Sequence, residues 1–121
     1  SDFNPEENKD FEKDSDSPDS KIVRDALGLS VIPLDAEIAR QLGMGNDVKG
    51  VVIDIAGQGT GAQAGLRRGD VIVSATYQPV SSPAALAAAI RTAKTAGRSA
   101  ILLGVKRRGG TTQYATVRLE E

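Results

Sequence analysis

The chain has 121 residues with 15 Lys and Arg, 16 Asp and Glu, no histidine and no cysteine. Without those two residue types no Ser-His-Asp or Cys-His arrangement can be assembled, and disulfides and zinc sites built from them are excluded. No apolar run approaches the roughly 20 residues of a membrane span, and with only two Phe and two Tyr a base-stacking platform for nucleic acid is nearly absent.

The charge is divided unevenly. Residues 1–20 carry eight acidic side chains against two lysines, a formal −6, while the other 101 residues hold 13 basic against 8 acidic, a formal +5. Such a composition predicts a disordered acidic linker over 1–25, followed by one domain over 26–121. Both phenylalanines, Phe3 and Phe11, fall in the linker, so the domain core must be built from Val, Ile, Leu and Ala. Nothing at the start of the chain has the order of a signal peptide.

Residues 27–33 read as a strand that Pro33 ends, because proline has no N–H for a ladder and is tolerated at edges and ends. Its approach, Ala26-Leu27-Gly28-Leu29-Ser30-Val31, admits two readings. Leu27, Leu29 and Val31 can simply alternate into a core. Alternatively, the N–H groups of Leu27, Gly28 and Leu29 converge as a nest for a carboxylate while the strand beyond accepts an incoming peptide. Asp35 then caps a helix over 35–42, and Gly50 to Ala56 forms a mostly buried strand. Thr60 and Gln63 have capping-box spacing for a short helix that Gly65 stops, with Leu66 folding back over its end. Val71 to Tyr77 is the next strand. Ser82-Pro83 starts a long helix to about Ala96, with Leu86, Ala89, Ile90 and Ala93 sharing one side, and its remaining surface is small-sided. Strands at 100–107 and 111–119 close the chain through Arg108-Gly109-Gly110. The order of elements predicts an α+β, mainly β domain: a five-stranded, partly open antiparallel sheet or barrel with two or three helices.

Gly57-Gln58-Gly59-Thr60-Gly61-Ala62 fits the dinucleotide pattern G-x-G-x-x-A, but Gly65 truncates its helix and no acidic residue lies about 20 positions on. The glycines are better read as a tight turn, and no cofactor is expected. Asp54 and Asp70 could pair as carboxylates, yet Asp70 suits a turn cap beside Gly69 and Asp54 suits a solvent-facing strand position. Arg67-Arg68 and Lys106-Arg107-Arg108 are solvated turn charges or a landing site for an anionic partner. No catalytic and no metal-binding residue is assigned.

The Leu-Gly-Leu turn before an edge strand, the string Ala64-Gly65-Leu66-Arg67-Arg68-Gly69-Asp70-Val71-Ile72 and the Ser82-Pro83 helix together resemble a PDZ domain. The likeness is to the circularly ordered PDZ domains of bacterial HtrA/Do-type (DegP-like) periplasmic serine proteases, most of all the second, and covers about Ala26 to Leu119. That resemblance implies a non-catalytic module that captures peptide C-termini or unfolded segments with apolar residues by strand addition. It places Ala26, Leu27, Gly28 and Leu29 in the carboxylate loop, Leu29, Ser30 and Val31 on the pairing strand, and Pro83, Ala87 and Ile90 on the groove side of the helix, with Leu86 in the core. Many PDZ domains carry a histidine where Pro83 stands, and its absence implies an apolar ligand residue at that position. The same resemblance implies a periplasmic setting and an alternative role in assembly, through contacts with neighbouring PDZ or protease domains of the parent.

Overall fold

A computed structural model describes residues 18–43, 49–107 and 111–119. Its first element is a helix, α1 (Pro18–Leu27). Proline at the first helical position, Asp19 in the first turn and Arg24 in the last suit a helix and its dipole, and Gly28 ends it at φ +73°. Ile22, Val23, Ala26 and Leu27 form its apolar stripe. Residues 18–25, expected in the disordered linker, are therefore part of the folded domain, and Val23 is fully buried. The remainder of the expected linker lies outside the described residues, as does the 108–110 connection.

The strands are β1 (Ser30–Pro33), β2 (Val51–Ile55), β3 (Val71–Ala75), β4 (Gln78–Pro79), β5 (Ala100–Lys106) and β6 (Thr112–Arg118). They form one antiparallel sheet in the order β1-β2-β3-β5-β6, with β4 paired to β3. The expected strand 71–77 ends at Ala75: Thr76 and Tyr77, at φ 52° and 64°, turn the chain back into β4. Positive φ at both central positions is the geometry of the tight hairpin turn that follows strand twist.

The helices between them are α2 (Ala36–Gln41), α3 (Thr60–Gln63) and α4 (Pro83–Thr95). Asp35 Oδ1 accepts from the Ile38 N–H at 2.8 Å, and Ser82 Oγ accepts from the Ala85 N–H at 3.1 Å, so both expected caps form. The capping box does not: the N-cap of α3 is Gly59, which offers no side chain, and Thr60 is already helical. Gly65, at φ 97°, and Leu66 end α3 as expected, with Gly65 N–H donating to Ala62 and Leu66 N–H to Gly61.

The sheet separates two apolar clusters. Val51 and Ile53 point to the larger, with Leu86, Ile90 and Leu103; Val52, between them in sequence, points to a smaller one under α2 with Ala39 and Val71.

Candidate functional site

The segment expected to form the carboxylate loop and pairing strand runs from the end of α1 through the turn into β1. Ala26 and Leu27 are the last residues of α1 and fully buried, so the strand begins at Ser30 rather than at 27. Gly28, at φ +73°, donates its N–H to the Arg24 carbonyl at 2.8 Å. The three N–H groups expected to converge on a carboxylate are thereby divided: Leu27 is helical, Gly28 caps the helix, and Leu29 follows in the connection to β1. The physical reason is the apolar stripe of α1, which continues the helix up to the glycine.

The Gly57–Gly61 segment holds this turn. A Cβ on Gly57 would strike the Gly28 carbonyl oxygen, and one on Gly61 would strike the Leu29 side chain and come within 3.0 Å of the Leu27 carbonyl. The Thr60 hydroxyl lies 3.5 Å from the Ala26 and Leu27 carbonyl oxygens, facing acceptors that the end of a helix leaves open. The dinucleotide-like spacing is thus a cradle for the Leu27–Leu29 turn, made by backbone that needs close approach.

Past the turn, β1 is an end strand of the sheet, paired to β2 on one side only. Val31 is buried, Ser30 and Ile32 partly so, and Pro33 exposed.

Opposite lies α4. Pro83 is half-buried at its first turn, while Ala87 and Ile90 are fully buried, as is Leu86. Leu86 lies in the core as expected, and Ala87 and Ile90, expected on the groove side of the helix, are buried in the same cluster. Helix α1 packs along α4, and Val23, Ala26 and Leu27 share one buried cluster with Ala87, Ile90, Leu29 and Val31. The structure therefore brings the turn, the edge strand and the helix face together, and it closes that meeting place with α1.

Two further features flank this region. Asp70, the one buried charged side chain among the described residues, accepts from the Arg67 N–H at 3.1 Å and lies 3.3 Å from Arg107 Nε. Arg107 Nη2 donates to the Gly65 carbonyl at 3.0 Å, whereas its Nε faces Asp70 as an ion pair without hydrogen-bond alignment. The Arg107 contact ties the 65–70 loop to the end of β5. On the far side of α4, a 370 Å³ cleft is lined by Ala85, Ala89, Ala93, Ala75, Gln78 and Arg98. Tyr77 and Tyr114 are exposed, with ring centroids 5.8 Å apart. Among the described residues there is no group of three potential metal ligands and no helix long and apolar enough to cross a membrane.

No family model matches the chain. Over 86 residues, 69% of this chain and 17% of the relative, it is 33% identical to a probable periplasmic serine endoprotease DegP-like of Rhizobium meliloti (strain 1021). Over 80 residues, 65% of this chain and 14% of the relative, it is 38% identical to the protein of the same name in Brucella suis biovar 1 (strain 1330). The chain thus spans less than a fifth of the length of these relatives. Among solved structures, the HtrA3 PDZ domain bound to a phage-derived ligand (FGRWV) matches with a TM-score of 0.62 at 21% identity, covering 78% of this chain and 83% of that one. The HtrA-type protease AlgW with a decapeptide matches with a TM-score of 0.56 at 28% identity, covering 78% of this chain and 28% of that one.

Proposed function

Because this chain is a PDZ domain of the HtrA/DegP-like kind, a non-catalytic module, we propose that it captures an extended polypeptide with a free, apolar C-terminus in the service of a periplasmic serine protease. The incoming strand adds to the unpaired side of β1, and its terminal carboxylate meets the Leu27–Leu29 turn. Pro83, Ala87 and Ile90 of α4 flank its side chains.

The single observation that carries this reading is the position of β1 at the end of the sheet, directly after a turn that Gly57 and Gly61 hold in place. An edge strand has backbone N–H and C=O groups to offer, which is what strand addition uses. Pro83 has no donor for a ligand hydroxyl, which favours an apolar residue at the ligand position beside it. Ligand-bound HtrA relatives support the same reading: the HtrA3 PDZ domain is bound to FGRWV and AlgW was solved with a decapeptide.

A second reading, an assembly module that contacts neighbouring domains of the protease oligomer, draws on the burial of Ala87 and Ile90 and on the exposed Tyr77–Tyr114 pair. The two separate on titration of an apolar pentapeptide as free acid and as C-terminal amide, followed by backbone amide shifts. Capture predicts shifts at Leu29, Ser30 and Val31 with the free acid, in the micromolar range or weaker, roughly −8 kcal/mol or less in magnitude, and loss of binding for the amide. No shift at millimolar peptide would favour assembly.

A further inference from the structure

We propose that α1 is a plug built into the chain, occupying the peptide site and regulating access to it; the inference rests on the capture reading above. Three observations meet at this place. The Gly28 N–H, one of the donors that a ligand carboxylate would use, is taken at 2.8 Å by the Arg24 carbonyl. Carbonyls at a helix C-terminus carry the negative end of the helix dipole, so they are an intramolecular substitute for an anionic chain end. Val23, Ala26 and Leu27 are fully buried in the cluster that also buries Ala87 and Ile90, so the helix face expected to hold ligand side chains is already covered.

The parts are arranged so that the plug can leave while the receptor stays. Helix α1 has 10 residues, a length at which an isolated helix is marginal in water, so packing on α4 holds it. Gly28, with a left-handed backbone at the joint, can change conformation more freely than any other residue. Beyond that joint the turn remains pinned by the Gly57–Gly61 backbone and Leu66 stays in the core. Unwinding the last turn of α1 frees the Leu27 and Gly28 N–H groups and uncovers Ala87 and Ile90 in one step. The affinity measured for a peptide is then reduced by the fraction of molecules in which α1 is released.

The test uses the full chain and a fluorescein-labelled FGRWV peptide as free acid and as amide. Lys21 and Asp25 are exposed on α1, so Lys21→Gly with Asp25→Gly weakens the helix without touching the core. That double variant is expected to bind the free acid about two- to six-fold more tightly than the parent chain. Asp25→Lys, which places a cation at the negative end of the helix, is expected to bind it about two- to five-fold more weakly. Amide hydrogen exchange at Gly28 reports the opening directly and should speed up in the first variant and slow in the second. Equal affinities in all three proteins, with Gly28 exchange changed as stated, would overturn the plug and leave capture standing. Absence of binding by any of them, with Gly28 exchange faster in the double variant, would overturn capture, and the plug with it. Should the double variant lose its fold, Asp25→Lys alone decides, since unchanged or tighter binding contradicts the proposal.

Discussion

Gly28 donates its backbone N–H to the carbonyl oxygen of Arg24 at 2.8 Å, and through that bond the end of α1 and the start of the connection to β1 are one structure. The glycine has a left-handed φ of +73°, which side-chain-bearing residues adopt at a cost of about 1–2 kcal/mol. Gly28→Ala should therefore lower unfolding free energy by about that amount, as read from urea denaturation at constant m-value.

The cradle makes a graded prediction. Gly65 also has positive φ but open space around it, so Gly65→Ala carries the conformational cost alone, about 1–2 kcal/mol. In Gly61→Ala the new methyl meets the Leu29 side chain and the Leu27 carbonyl, an overpacking cost of roughly 1–3 kcal/mol. Gly57→Ala combines positive φ with collision against the Gly28 carbonyl and should be the most damaging of the three. The order of denaturation midpoints checks this, with Gly65→Ala above Gly61→Ala and Gly57→Ala lowest.

Asp70→Ala removes the acceptor of the Arg67 N–H and the carboxylate facing Arg107 Nε, which is buried without another partner. Arg107 is itself 42% exposed, so screening discounts the ion pair, and the Arg67 N–H left without its carboxylate acceptor sets the cost at about 1–3 kcal/mol. Raising salt should recover little of that loss. A mainly coulombic pair would instead make the difference between variant and parent shrink strongly with salt.

Thr76 is a β-branched residue at φ +52° in the β3–β4 turn, a position that Asn or Gly fits better. Thr76→Asn should stabilise the domain by about 0.5–1 kcal/mol, raising its thermal midpoint. Leu86→Ala, by contrast, empties a fully buried site and should cost about 2–5 kcal/mol.

Much of the architecture was legible in local chemistry. Asp35 and Ser82-Pro83 fixed two helix starts, Gly65-Leu66 one helix stop, and Pro33 the end of the edge strand, because each acts through its own backbone neighbours. Helix α1 went unread although Pro18 at its start, Ile22, Val23, Ala26 and Leu27 at helical spacing, and Gly28 past its end were all in view. The acidic composition of the preceding residues outweighed a four-residue stripe whose stability comes from packing on α4. Thr60 misled for a related reason: its spacing to Gln63 suits a cap, but its hydroxyl faces carbonyls 33 and 34 positions away, which no local pattern encodes. The same holds for the groove. The residues expected to line it come from the resemblance to PDZ domains, whereas whether it is open depends on a contact between distant elements.

The most direct measurement of the central claim is isotope-filtered NMR of the chain saturated with unlabelled FGRWV. Capture by strand addition predicts intermolecular NOEs between the peptide backbone and Ser30, Val31 and Ile32, accompanied by loss of NOEs between α1 and α4 as α1 gives way. Contacts confined to the Tyr77–Tyr114 surface or to the cleft beyond α4, with the α1–α4 NOEs intact, would contradict it.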